Sequence, residues 1–158
     1  MTYAILLPIY EDLDAAKVLF QELKKNLKDD IFIIAVDDGS IHQPVNPKVI
    51  SDANLEGVVI RLKRNLGHQR AIAVGISYIA NEMPEVNCIV MDSDGEDRPE
   101  SVQGLISMHK NSDIDVLVAT RKSRVETLKF KVFYLFYKFI FFLLIGRKIS
   151  FGNFMLLT

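Results

Sequence analysis

The chain is 158 residues long, 49% apolar, with a formal charge of −1. Such a length allows one domain with a sizeable core, and the near-neutral total gives no overall bias toward nucleic acid. A single cysteine, Cys88, excludes an internal disulfide. In its apolar run it reads as a small buried hydrophobe in a reducing compartment.

The start, "MTYAILLPIYED", has no basic region ahead of its apolar run and is not read as a signal peptide. "YAILL" (3–7) predicts a buried strand stopped by Pro8. A helix follows in "DLDAAKVLFQELKKNL", with Ala16, Phe20, Leu23 and Leu27 on one face and Asp12 or Asp14 as its cap. "IFIIAV" (31–36) predicts a second strand, closed by "DDGS". Residues 41–56 read as loop with a short helix. "GVVIRL" (57–62) is a third strand, "GHQRAIAVGISYIANEM" (67–83) a helix and "NCIVM" a fourth strand. "PESVQGLISMHK" is a helix with Pro99 in its first turn, and "IDVLVAT" (114–120) a fifth strand. Apolar strands alternating with helices predict an α/β fold, a mostly parallel sheet with helices on both faces. Ligands bind such sheets beyond the carboxyl ends of the strands, where "PIYED", "DDGS" and "DSDGED" all fall.

"VMDSDGEDRPE" puts five carboxylates into residues 90–100. Two acidic loops at neighbouring strand ends repel each other unless they hold a cation or hydroxyl groups. Asp-x-Asp on an extended chain turns both side chains to one side, and magnesium takes one or two carboxylates together with substrate phosphates. The plain alternatives are ordinary Asp-Gly turn chemistry and a solvated acidic loop. Neither a P-loop nor a G-x-G-x-x-G fingerprint occurs.

Charge is unevenly spread: residues 121–148 carry +7 and residues 1–120 carry −8. The basic stretch holds eight of the fifteen aromatics between Phe130 and Phe142. As a helix it would group Lys131, Tyr134 and Lys138 on one face. A buried core helix competes with a helix lying in a headgroup layer, and the uncharged run 139–146 is too short to span a bilayer.

"PIYED", "VDDGS", "RNLGHQRAIAVGI" and "MDSDGEDRPE", in this order and spacing, resemble the family 2 glycosyltransferases of GT-A (Rossmann-like) fold. The branch resembled includes dolichyl-phosphate mannose synthase and bacterial polyprenyl-phosphate glycosyltransferases. The resemblance implies a nucleotide-sugar-binding core over residues 1–120 and, over 121–158, an acceptor and membrane-interface segment that relatives extend further. It implies Pro8, Tyr10, Asp12, Asp38, Gly67, Gln69 and Asp92 around the donor, with Asp38 at the base or ribose. Asp92 and Asp94 become the Asp-x-Asp pair, with Asp94 and Glu96 toward Mg2+ or Mn2+, although the branch usually has Gln at the position of Glu96. Arg121, Arg124 and Lys131 become contacts to an acceptor phosphate. His68 is given no catalytic role.

The implied activity is inverting sugar transfer to a polyprenyl phosphate at the cytoplasmic face of a membrane. A saccharide hydroxyl acceptor, a non-catalytic nucleotide-sugar binder, a nucleotidyltransferase and a homo-oligomer stay open. One departure stands out. The family's catalytic "G-D-F" reads Gly152-Asn153-Phe154 here, and Asn153 cannot take up a proton.

Overall fold

The computed structural model describes residues 3–112, 114–119 and 153–158, so Arg121, Arg124, Lys131 and the basic aromatic stretch lie outside the described residues. The chain divides into two compact units, Met1–Leu117 with Asn153–Thr158, and Val118–Gly152. The architecture below is that of the first.

Its elements are β1 (Tyr3–Ile9), α1 (Leu13–Asn26), β2 (Ile31–Asp37), α2 (Lys48–Asp52), β3 (Glu56–Arg61), α3 (His68–Glu82), β4 (Asn87–Val90), α4 (Pro99–Lys110), β5 (Val116–Val118) and β6 (Met155–Leu157). The strands form one sheet in the order β3-β2-β1-β4-β6-β5. β1 is central and pairs in parallel with β2 and β4, while β6 runs antiparallel to β4 with Val90 opposite Met155. A strand buried on both faces reads as a continuous apolar run, and every residue of β1 is buried.

Pro8 does not end β1 as expected, because the strand continues to Ile9. The odd-numbered residues direct their main-chain groups at β2, as the Asp38 N–H bond to the Ile9 carbonyl illustrates. The even-numbered ones face β4, which receives the Leu6 carbonyl at Met91 N. Pairing with β4 ends at Leu6, so the N–H that Pro8 lacks has no ladder position to fill.

Alternation along β1 assigns the helices to faces. Ala4 and Leu6 pack in one cluster with Ile34, Val36, Ala71, Ile72, Ile79, Cys88 and Val90, beneath α3. That contact is close: a Cβ at Gly75 would stand 2.1 Å from Leu6 Cδ1, so only glycine lets α3 approach. On the opposite face Tyr3 donates or accepts a 3.0 Å hydrogen bond with His109 of α4, and α4 packs on α1. α1 buries Ala16, Leu19, Phe20 and Leu23, the i, i+3, i+4, i+7 stripe of an amphipathic helix. Neither expected cap forms: Asp12 stands at the N-cap without a side-chain bond, and Asp14 pairs with Lys17 at 2.9 Å.

The expected fifth strand shortens to Val116–Val118, and β6 was not anticipated. Because β6 is antiparallel, its first residues, not its last, stand at the carboxyl end of β4. That reversal brings Asn153, two residues ahead of Met155, to the acidic loop.

Candidate active site

Three loops meet beyond the carboxyl ends of β1, β2 and β4, joined by the start of α3. At the end of β2 the adjacent acids Asp37 and Asp38 are both buried, and each binds main chain. Asp37 accepts from Ser40 N at 2.8 Å and Val45 N at 3.0 Å, with Arg61 Nε at 3.8 Å. Asp38 accepts from Leu66 N at 2.7 Å and Gly67 N at 2.9 Å. It therefore braces the entry to α3, whose N-cap, Gly67, has a φ of 92° and open space where a Cβ would stand.

The acidic loop is tied down at two points: Ser93 Oγ donates to the Pro8 carbonyl at 3.1 Å, and Asp92 N donates to Asp97 Oδ2 at 3.1 Å. Asp92 then meets the start of α3. His68 Nε2 lies 3.2 Å from Asp92 Oδ1 and 3.0 Å from Asn153 Nδ2. Gln69 Nε2 donates to Asn153 Oδ1 at 3.1 Å. Gln69, Asn153 and Asp92, expected at the site from separate motifs, are thus gathered around one histidine. Asp92 Oδ1 is enclosed and has no hydrogen-bond partner among the described residues, with His68 Nε2 the nearby nitrogen. Burial raises the Asp92 carboxyl above the usual aspartate range. His68 and the Asn153 amide pull it down, while Asp97 and Asp94 push it further up. An enclosed oxygen in an acidic setting suits a cation or a hydroxyl donor.

Asp94 and Glu96 are exposed on the same loop, where Glu96 N donates to Asp94 Oδ1 at 2.8 Å. Among the described residues no group of three or more metal-capable side chains is preassembled. A hard dication that takes one or two carboxylates plus phosphate oxygens and waters needs none, and the all-oxygen donor set of Asp92, Asp94 and Glu96 fits it. Tyr10 is half exposed at the end of β1, whereas Pro8 is buried within the strand. A concavity of about 330 Å³ between Leu23, Asp29, Ile31, Leu55 and Glu56 lies at the opposite end of the sheet and contains none of these residues.

Two residues at this end were given no role by sequence reasoning: His68, set aside as non-catalytic, and Glu11. His68 offered a signal in hindsight, since the first residue of a helix that follows β3 must return to the strand ends. Glu11 offered none, because its partners are main-chain N–H groups of a distant loop.

A family model described as Glycosyl transferase family 2 matches residues 4–155. An uncharacterised glycosyltransferase of Synechocystis sp. is 30% identical over 140 residues, covering 83% of this chain and 42% of the relative. An undecaprenyl-phosphate 4-deoxy-4-formamido-L-arabinose transferase of Enterobacter sp. is 26% identical over 131 residues, covering 78% of this chain and 38% of the relative. A mannosyltransferase of Pyrobaculum calidifontis, solved with GDP-Man and Mn2+, shares the fold at a TM-score of 0.57 and 11% identity, covering 75% of this chain and 35% of that one. The chain spans about two-fifths of the length of these curated relatives.

Proposed function

The chain belongs to glycosyl transferase family 2 and has the GT-A fold, and from that premise we propose that the protein moves a sugar from a nucleotide-sugar to an acceptor, inverting the anomeric centre with the help of Mg2+ or Mn2+. The observation that carries this reading is the meeting of Asp92, His68, Gln69 and Asn153 beyond the strand ends, beside the Asp-x-Asp loop. Asp94 and Glu96 would hold the metal, with Asp92 beside them. When bound, the metal supplies positive charge against the negative charge that builds on the departing diphosphate.

The chain's own residues do the rest. Asp38 fixes the Leu66–Gly67 main chain, so the start of α3 reaches the reacting region in one conformation. Tyr10 offers an exposed ring to the donor at the end of β1. Asp92, its side chain partly exposed, offers its carboxylate to a sugar hydroxyl. Asn153, held by Gln69 and His68, positions groups by hydrogen bonding and takes no proton.

A polyprenyl phosphate is the acceptor this site suits. A phosphate monoester is already ionised near neutral pH and attacks without a base, which agrees with amide chemistry at Asn153. The +7 of residues 121–148 and the acceptor in the name of the Enterobacter relative support the same reading, at the cytoplasmic face of a membrane. One observation favours a second reading, a saccharide hydroxyl acceptor: His68 brings an imidazole nitrogen beside Asp92 and Asn153, where a base would be required.

Calorimetry with Mn2+ and UDP- or GDP-sugars tests the proposal. Binding should require the metal and fall at least tenfold in Asp94→Ala. Undiminished, metal-independent binding in that variant would overturn it. Transfer to a short polyprenyl phosphate, compared with transfer to a saccharide, then chooses between the acceptors.

A further inference from the structure

Glu11 has a φ of 51°, in the left-handed region that side chains with a Cβ adopt at a cost of about 1 kcal/mol. Its carboxylate lies against the main chain of the β2–α2 loop. Oε1 accepts from Ile41 N at 2.6 Å and His42 N at 3.1 Å, and Oε2 from His42 N at 3.1 Å and Gln43 N at 2.9 Å. The loop reciprocates. Ser40 Oγ accepts from Glu11 N at 2.9 Å, and Gln43 Oε1 from Leu13 N at 3.1 Å. Successive N–H groups converging on one point form an anion-binding concavity, and here the anion is the protein's own side chain. The bonds from Ile41 first, then His42 and Gln43, hold the Glu11 carboxyl below the ordinary glutamate range.

Each joined segment also exposes a large apolar side chain: Tyr10 is 50% exposed beside Glu11, and Ile41 is 76% exposed where the shortest latch bond forms. Neither side chain is covered by the described residues. Both side chains stand at the end of the sheet assigned above to the donor.

We propose that Glu11 is a positioning residue for donor binding, its carboxylate latching residues 10–13 to residues 40–43 so that Tyr10 and Ile41 are held as apolar walls for the nucleotide. The inference rests on the nucleotide-sugar reading for the identity of the ligand, but the latch itself does not. Without the carboxylate, three main-chain N–H groups lose their acceptor, and only the Ser40 Oγ and Gln43 Oε1 bonds still tie the loop to residues 11–13. Asp37 still holds Ser40 and Val45, so the loosening is confined to the stretch between them.

Glu11→Gly adopts the left-handed backbone without strain and removes the whole side chain, the carboxylate included. Glu11→Gln keeps the length and loses the charge and one acceptor. Hydrogen exchange of the purified protein, followed by mass spectrometry, should show residues 41–43 exchanging at least tenfold faster in Glu11→Gly, with Ile33–Val36 of β2 still protected. Titration with UDP and GDP in Mn2+ should show the tighter-binding nucleotide weakened about tenfold in Glu11→Gly and less in Glu11→Gln. Unchanged exchange at 41–43 overturns the latch. Faster exchange with an unchanged Kd overturns the positioning role. If the unsubstituted protein binds no nucleoside diphosphate or nucleotide-sugar, the donor reading fails and the positioning role with it, while the exchange arm still decides the latch.

Discussion

Replacing Asp38 separates a brace from a ligand contact. The residue is 3% exposed and accepts two main-chain bonds, from Leu66 at 2.7 Å and Gly67 at 2.9 Å. Hydrogen bonds to a charged acceptor contribute about 1.5–3 kcal/mol each. Leu66 and Gly67 are only partly buried, so water replaces some of that in Asp38→Ala, leaving a loss of about 3 kcal/mol. With a slope of about 2 kcal/mol per molar urea, the unfolding midpoint falls by about 1.5 M. Asp38→Asn keeps one oxygen but turns an NH2 toward the other N–H, and loses about half as much. Circular dichroism through a urea titration reads both variants. A midpoint unmoved in Asp38→Ala, together with lost nucleotide binding, would refute the reasoning and make Asp38 purely a ligand contact.

Gly39 has a φ of 76°, and a Cβ there would stand 2.5 Å from the Arg64 carbonyl carbon and 2.7 Å from Asn65 N. Gly39→Ala therefore combines left-handed strain with a clash against main chain that cannot swing aside, and should cost about 2–4 kcal/mol by urea unfolding. An unaltered midpoint would contradict the packing described. Burial pushes the Cys88 thiol up to about 12. The reactive thiolate forms only as pH rises toward that value, so at pH 8 a disulfide reagent should leave the native protein unlabelled and titrate one thiol in urea. Rapid native labelling would refute it.

The parts of the fold legible in the sequence were those with a repeating signal or a hard boundary. α4 runs from Pro99 to Lys110 as expected, since proline fixes the first turn and Val102, Leu105 and Ile106 give the buried stripe. β1 and β2 announced themselves as unbroken apolar runs. β6 did not: three residues carry no periodicity, and only Leu156, fully buried beside Ile89, reveals them as sheet. The same limit hid the arrangement around Asn153. Motif order put Asp92, Gln69 and Asn153 near the donor, but their grouping around His68 follows from an antiparallel reversal that no local pattern announces. For Asp38 the obstacle is different in kind. Sequence records an acid at a strand end and is silent on which main-chain N–H groups will turn toward it.

Asp37, Asp38 and Glu11 together receive seven main-chain N–H groups, from Ser40, Val45, Leu66, Gly67, Ile41, His42 and Gln43. The loops at this end are thereby pegged from beneath by acids that double as anchors. If the proposed nucleotide reading holds, retargeting the protein toward a different base by editing those three positions would slacken the loops instead of reshaping them. On that reading, changes of preference belong in the exposed side chains of Tyr10 and Ile41, where a new side chain disturbs no anchor.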